Sequence, residues 1–321
     1  MSLKFGYFTE ELKQISINKL SAVRIYIEAQ KRGHETFYFN SKDLFYSEGE
    51  LFARAAKVDF FLGTDVRPQY EISEKKLMKV SDLDVFFMRK DPPVNNFYVS
   101  FTYMLESLEQ TGKTLFVNSP RGIRNSHSKL LTLKFPDFIA PTLISSSLEE
   151  IISFIDKYKK CVIKPLDGRG GQGILILESG DTNLNSLIEM MLTAYSKSVM
   201  VQKYLPEAAS EGDKRIIMFD GEPVGAILRK AADGDFRSNI SAGASFVKSE
   251  LTDREKEMCE ALKPYLLENG LFFVGLDVIG GCITEINATS PGMLAPANIA
   301  YGMKFEELFW DKLEQKLGYT K

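Results

Sequence analysis

The chain opens on a short apolar run, Leu3 to Phe8, followed by a polar loop. From about Leu20 to Arg32, Val23 and Ile27 recur at helical spacing, and Gly33 stands where a helix C-terminus favours glycine. Three further apolar runs, His34 to Phe39, Leu83 to Met88 and Thr114 to Val117, have the length and composition of strands. Strands alternating with helices predict an open parallel sheet of α/β type. Functional loops in such sheets gather at the carboxyl ends of the strands. Arg89-Lys90-Asp91-Pro92-Pro93 follows Met88 directly, at one of those ends, and Asn118-Ser119-Pro120 closes the next strand. A first domain over residues 1–122 is expected.

Beyond residue 123 the pattern changes. A helix carrying Lys129, a strand running into Pro141 and a helix from Leu148 to Tyr158 are predicted. Short strands follow, separated by turn pairs such as Asp220-Gly221 and Gly280-Gly281, which predicts antiparallel pairing. There is no internal repeat and no low-complexity tract, so a solenoid or a linker is not expected.

Composition narrows the class. The 321 residues suit about two domains with a substantial core. A net charge of −3, from 40 Lys+Arg against 43 Asp+Glu, supplies no general field for nucleic acid or acidic lipid. Any anion site must therefore be local. Cys161, Cys259 and Cys282 are too few and too scattered for a disulfide framework or a zinc knuckle. With no signal-like opening and no apolar run near the ~18 residues of a membrane span, a soluble cytoplasmic protein is expected.

Gly168-Arg169-Gly170-Gly171-Gln172-Gly173 matches G-x-G-x-x-G. A dinucleotide turn needs a helix after the glycines. Here the apolar run Ile174 to Leu177 follows, and Cys161-Val162-Ile163-Lys164 precedes. A glycine loop between two strands describes a flap over phosphates, as in kinases. No Lys-Ser/Thr follows Gly173, so it is not a Walker A loop. Glycines let backbone N–H groups approach phosphate oxygens, and Lys164 places a compact positive charge at the base of the flap.

Phe272 to Asn287 reads as a hairpin. Glu285 and Asn287, two residues apart, share one face of their strand, and Asp277 belongs to the partner strand. A two-residue turn at Gly280-Gly281 would pair Asp277 with Thr284 and send Glu285 to the opposite face. A three-residue loop, Gly280 to Cys282, would set Asp277 directly against Glu285. One site made of all three side chains requires the second register. Opposed carboxylates among apolar neighbours repel and persist most readily around a cation. Two acids and an amide suit Mg²⁺ shared with substrate phosphates, with Mn²⁺ as a possible substitute.

Arg215 precedes the strand Ile216 to Phe219, Arg229 ends the next, and Arg237 and Asn239 follow. With Arg89 they form a set suited to two-pronged binding of carboxylate or phosphate.

Together, Met88-Arg89-Lys90-Asp91-Pro92-Pro93, Lys164-Pro165-Leu166-Asp167-Gly168, Gly212-Asp213-Lys214-Arg215, Val274-Gly275-Leu276-Asp277 and Thr284-Glu285-Ile286-Asn287-Ala288-Thr289-Ser290-Pro291 resemble the bacterial glutathione synthetases, an ATP-grasp family. The resemblance runs from near the N-terminus to about Pro291. It implies an N-terminal parallel-sheet domain followed by a two-subdomain ATP-grasp fold, here 123–201 with the flap and 202–321 with the metal site. By motif position, Lys129 and Lys164 resemble phosphate-binding lysines, beside the flap residues Gly168, Gly170, Gly171 and Gly173. Gln202, Lys203, Tyr204 and Leu205 look like the strand that reads adenine, and Asp213 lines the nucleotide site. Asp277, Glu285 and Asn287 correspond to Mg²⁺ ligands. Arg89, Arg215, Arg229, Arg237, Asn239 and Ser290 fall where the peptide and acyl phosphate are held, with Arg229, Arg215 and Lys164 at the chemistry.

The implied reaction joins γ-glutamylcysteine to glycine using ATP, through an acyl phosphate, with a homo-oligomer expected and no nucleic acid or membrane partner. Two stretches depart from the family. Arg237-Ser238-Asn239-Ile240-Ser241-Ala242-Gly243-Ala244 replaces a more glycine-rich run, and Ser245 stands where many members carry arginine. After Pro291 relatives continue with a glycine and an Arg-Glu pair, whereas this chain reads Gly292-Met293-Leu294-Ala295-Pro296. Both lie at the acceptor end of the cleft. They leave two alternatives: a ligase of the same chemistry with another amine or peptide, and a nucleotide-binding regulator without catalysis.

Overall fold

The computed structural model describes residues 2–15, 20–61, 68–168, 170–195, 198–230 and 245–319. Arg237 and Asn239, both expected at the substrate, lie outside the described residues.

The N-terminal region runs β1 (Lys4–Phe8), α1 (Leu20–Lys31), β2 (Glu35–Phe39), β3 (Leu44–Ser47), β4 (Glu50–Ala55), β5 (Val58–Phe61), β6 (Gln69–Ile72), β7 (Lys76–Lys79), β8 (Val85–Met88), α2 (Asn96–Glu109), β9 (Leu115–Val117) and α3 (Pro120–Arg124). Strands pair in the parallel order β2-β1-β8-β9, as the hydrophobic runs predicted. Side chains alternate through this sheet. Phe5, Tyr7, Val85 and Phe87 face α1, while Phe8, Phe39, Phe86 and Met88 face α2. The small antiparallel ribbons β3-β4-β7 and β5-β6 have no counterpart in the sequence reading.

The central region holds β10 (Thr142–Ser145), α4 (Leu148–Tyr158), β11 (Lys160–Pro165), β12 (Leu175–Glu178), α5 (Leu184–Tyr195) and β13 (Val199–Lys203). These strands form one antiparallel sheet, ordered β10-β13-β11-β12, backed by α4 and α5. Two expectations are corrected. Lys129 sits at the start of a short 3-10 turn, Leu130–Lys134, rather than inside a helix, and the strand begins after Pro141 instead of running into it. Because β13 spans 199–203, the chain leaves this sheet after Lys203, beyond the boundary expected at 201.

The remainder comprises α6 (Glu207–Ser210), β14 (Asp213–Phe219), β15 (Glu222–Lys230), β16 (Ser245–Ser249), α7 (Asp253–Glu268), β17 (Phe273–Ile279), β18 (Cys282–Asn287), α8 (Leu294–Tyr301) and α9 (Phe305–Lys316). Its sheet, β16-β15-β14-β17-β18, is antiparallel throughout. One face carries Ile216, Met218, Leu276 and Val278 onto α7. The alternate positions face the opposite way, and there the charged site is built. α9 returns to the N-terminal sheet, where Phe309 and Trp310 join the core of Phe5 and Phe87. Trp310 also donates its indole N–H to the Ile25 carbonyl at 2.8 Å. Among the described residues, no helix is long and apolar enough to cross a membrane.

Candidate active site

The site rests on one row of cross-strand neighbours. Arg215 on β14 lies opposite Asp277 on β17, and Asp277 lies opposite Glu285 on β18. Two residues along β14, Asp213 lies opposite Arg229 on β15. Strand alternation keeps Asp213 and Arg215 on one face, so both acids and both guanidiniums meet.

The register that aligns Asp277 with Glu285 is neither of the two expected. The turn is the two-residue one, with Gly280 at φ 53° and Gly281 at φ 68°, and Ile279 pairs with Cys282. The register then shifts beside Asp277 and Val278, leaving Thr284 as an extra residue on β18. This β-bulge restores the facing of the two acids that the short turn would have broken. Thr284 also donates its hydroxyl to the Asp277 carbonyl at 3.2 Å, and its own carbonyl accepts from Lys164 Nζ at 3.4 Å.

Asp277 is surrounded by donors. Arg215 grips it with two prongs, Nε on Oδ1 and Nη2 on Oδ2, the latter at 2.7 Å. Arg229 Nη2 reaches Oδ1 at 3.0 Å, and Asn287 Nδ2 reaches Oδ2 at 3.2 Å. Burial alone would raise the Asp277 pKa, but the two guanidiniums outweigh it and hold the carboxyl below its ordinary value. Asp213, with one oxygen on Arg229 and the other buried without a partner, goes the other way. Burial pushes it up to about 6 despite Arg229. Arg229 is drawn upward by Asp213 and Asp277, against the effect of its own burial.

Two lysines complete this end. Lys129 donates to the Gly168 carbonyl at 2.7 Å and pairs with Glu285 at 3.1 Å, tying the base of the flap to the hairpin. Lys164 is buried, and that burial pulls its pKa down to about 8, partly opposed by Glu285. The flap follows β11 as predicted, with β11 and β12 antiparallel around it. Gly170, Gly171 and Gly173 all have φ between 61° and 78°, where a side chain is strained.

Two cavities meet at this row. The first is lined by Lys164, Gly170, Gly171, the segment Gln202 to Leu205 and Asp213, with Val162, Ile174 and Ile283 as apolar walls. Those aliphatic walls were not singled out in the sequence, because single apolar residues on strands read as ordinary core. The second, of about 780 Å³, is lined by Gly168, Arg215, Arg229, Asn287 and Ser290, and by Pro92 and Pro93 of the N-terminal domain. Gly170, Asp277 and Glu285 line both. Gln202 donates Nε2 to Thr142 at 2.9 Å, which fixes its amide beside the first cavity. Arg89 is placed differently from the other arginines. It is buried between the rings of Phe87 and Phe273 and donates to the Pro291 carbonyl, so it bears on the cleft through the turn after Ser290.

A cavity with aliphatic walls and a lysine at its end thus joins a larger cleft at paired carboxylates. Two family models match the chain: the N-terminal domain of prokaryotic glutathione synthetase over residues 3–124, and its ATP-grasp domain over residues 128–300. The chain belongs to the prokaryotic glutathione synthetase family. The glutathione synthetase of Synechocystis sp. is 39% identical over 312 residues, covering 95% of this chain and 97% of the relative. That of Mesorhizobium japonicum is 38% identical over 316 residues, covering 98% and 99%. Among solved structures, the ATP-grasp ligase PsnB bound to a precursor variant, Mg and ADP superposes with TM-score 0.66 at 17% identity, over 98% of each chain. D-cycloserine synthetase DcsG does so with TM-score 0.66 at 13% identity, over 98% and 99%. At those identities they establish the shared ATP-grasp fold. Family membership makes this chain an ATP-dependent ligase that uses a divalent metal.

Proposed function

We propose that the two joined cavities divide the reaction between them: ATP occupies the first, and γ-glutamylcysteine and glycine meet in the second to form glutathione. The observation that carries this division is the shared lining by Asp277 and Glu285, since phosphoryl transfer needs both substrates at one point. Gln202 to Leu205 and the aliphatic walls hold the adenine, and Gly168, Gly170, Gly171 and Gly173 lay backbone N–H groups over the phosphates. Lys129 and Lys164 place positive charge against them. Asp213 lines the nucleotide side and orients Arg229.

The donor set fits a hard divalent cation: Asp277 faces Glu285 across the hairpin, Asn287 lies two residues on, and each carries a side-chain oxygen, the amide turning Oδ1 rather than Nδ2 toward the ion. Mg²⁺ is the natural occupant, with Mn²⁺ as substitute, and when bound it neutralises charge on the phosphoryl oxygens. The side chains do the rest. Arg215 and Arg229 hold the cysteinyl carboxylate in line with the γ-phosphate, where it takes the phosphoryl group and becomes an acyl phosphate. Glycine's amine then attacks the acyl carbon, phosphate leaves, and Arg229 stabilises the developing oxyanion. Ser290, Arg237 and Asn239 hold the peptide, and Arg89 fixes the Pro291 turn beside it. The glycine flap closes over the intermediate and excludes water.

The reading extends to a cytoplasmic homo-oligomer, supported by exposed Tyr46, Ile72 and Leu77 on the N-terminal ribbons and tested by light scattering. The functional test is ADP release from ATP with γ-glutamylcysteine across a panel of amines. Release is expected to depend on glycine, to vanish on chelation and to return with Mg²⁺ or Mn²⁺. Strong release with another amine and none with glycine would replace the acceptor, and nucleotide binding without turnover in any mixture would replace the enzyme.

A further inference from the structure

γ-Glutamylcysteine carries two carboxylates at opposite ends, about 8 Å apart when extended. The cysteinyl one must reach the junction at Asp277 and Glu285. The glutamyl one stays unreacted and has to be held elsewhere in the larger cleft, by a cation with donors to spare. Most arginines lining that cleft are already engaged. Arg124 is bonded to Glu106 at 2.6 Å, while Arg215 and Arg229 sit on Asp277 and Asp213 at the junction, the end that takes the cysteinyl carboxylate.

Arg24 is different. It projects from α1 and lines the same cleft. Among the described residues it donates no hydrogen bond, and its Nε–H is buried without an acceptor. Its one ion-pair contact among the described residues is Glu306 on α9, at 3.6 Å, and Glu306 already accepts from Asn298 at 2.6 Å. Its side chain keeps 31% of its surface exposed, enough to present the fork to a ligand. The neighbouring α8 segment supplies Ala295 and Pro296 to the cleft, neither of which carries charge. Ser21, one turn earlier on α1, accepts from the Leu294 backbone N–H at 3.1 Å and fixes α1 against α8.

An arginine held in place, turned into a substrate cleft and without a hydrogen-bond acceptor among the described residues is poised for a carboxylate. Resting on the glutathione-forming reading of this cleft, we infer that Arg24 binds the glutamyl α-carboxylate of the peptide and so selects γ-glutamyl substrates. Arg24 takes no part in the chemistry. Its contribution is equal in the ground state and the transition state, so it acts on KM and leaves kcat unchanged.

The experiment compares γ-glutamylcysteine with 4-aminobutanoylcysteine, the same chain without the α-carboxylate, in the wild type and in Arg24→Met and Arg24→Lys. In Arg24→Met, KM for γ-glutamylcysteine should rise about 10- to 100-fold, as expected for a lost charged hydrogen bond. kcat and the KM values for ATP and glycine should hold, which also reports an intact fold. The wild type should show the same raised KM with 4-aminobutanoylcysteine, and Arg24→Met should treat the two peptides alike. Arg24→Lys should recover part of the loss. An equal rise for both peptides in Arg24→Met, or no rise, overturns the assignment. A wild type that turns over neither peptide overturns the glutathione reading itself, a result that the Arg24 variants cannot produce.

Discussion

Gly275 stands on β17 between the core and the charged row, and the structure gives it a specific reason. A Cβ there would lie 2.8 Å from Arg215 Nη1 and 3.0 Å from its Cδ. Ordinary carbon contacts are about 3.5–4.0 Å, so Gly275→Ala must displace the arginine by roughly 0.5–1 Å. A free arginine would swing aside, but this one is pinned by two bonds to Asp277. Stretching one charged hydrogen bond costs about 1.5–3 kcal/mol, and removing a strand glycine returns about 0.5–1 kcal/mol. The net expectation is a loss of about 1–2 kcal/mol. In an Arg215→Ala background, itself destabilised by about 3–5 kcal/mol, the obstacle is gone and Gly275→Ala should be neutral or mildly stabilising. The double-mutant cycle should therefore show a coupling of about 2 kcal/mol. Urea unfolding, followed by the chain's one tryptophan, Trp310, measures it. Equal penalties for Gly275→Ala in both backgrounds would refute the reasoning.

The other expectations test the lysine, the flap and the domain contact. Lys164 has a folded-state pKa near 8 against an ordinary 10.5, so its charged form disfavours the fold below about pH 8. Relative to Lys164→Met, stability should rise from pH 8 toward 10.5 while ATP affinity falls; wild-type profiles that parallel the variant's would contradict this. Gly173→Ala forces a side chain onto φ 70° and into the Tyr195 hydroxyl. It should raise KM for ATP about 5- to 30-fold, the equivalent of about 1–2 kcal/mol, and an unchanged KM would remove the flap from nucleotide binding. Trp310→Ala should lose about 3–5 kcal/mol in thermal unfolding, and a loss under about 1 kcal/mol would show that α9 does not anchor the N-terminal sheet.

Much of this arrangement was legible in the sequence where a local pattern determines the outcome. The parallel strands follow from apolar runs buried on both faces, and the flap follows from glycines between two strand-like runs. The helix Leu148–Tyr158 has the limits expected from its sequence, with Ser147 accepting from the Glu150 backbone N–H. Among the ribbon strands, β3, β6 and β7 were missed because their residues are largely exposed, whereas β4 and β5 do alternate buried and exposed positions but over runs of only 6 and 4 residues. In the hairpin the facing of Asp277 and Glu285 is the one that a single site requires, but the three-residue loop expected to produce it is absent. A bulge at Thr284 leaves no mark in composition, since it is set by what must face Asp277 on the neighbouring strand. The arginines were legible as a set but not in their partners. That Arg215 grips Asp277 depends on β14 lying beside β17, a pairing between residues 62 positions apart.

The central claim is that the cleft converts a carboxylate into an acyl phosphate at the junction of its two cavities. It is tested most directly with γ-glutamylcysteine carrying ¹⁸O in its cysteinyl carboxylate, turned over with ATP and glycine. The account predicts that each turnover delivers a single labelled oxygen into inorganic phosphate, alongside one ADP and one glutathione. Unlabelled phosphate, with all the label retained in the peptide, would contradict it.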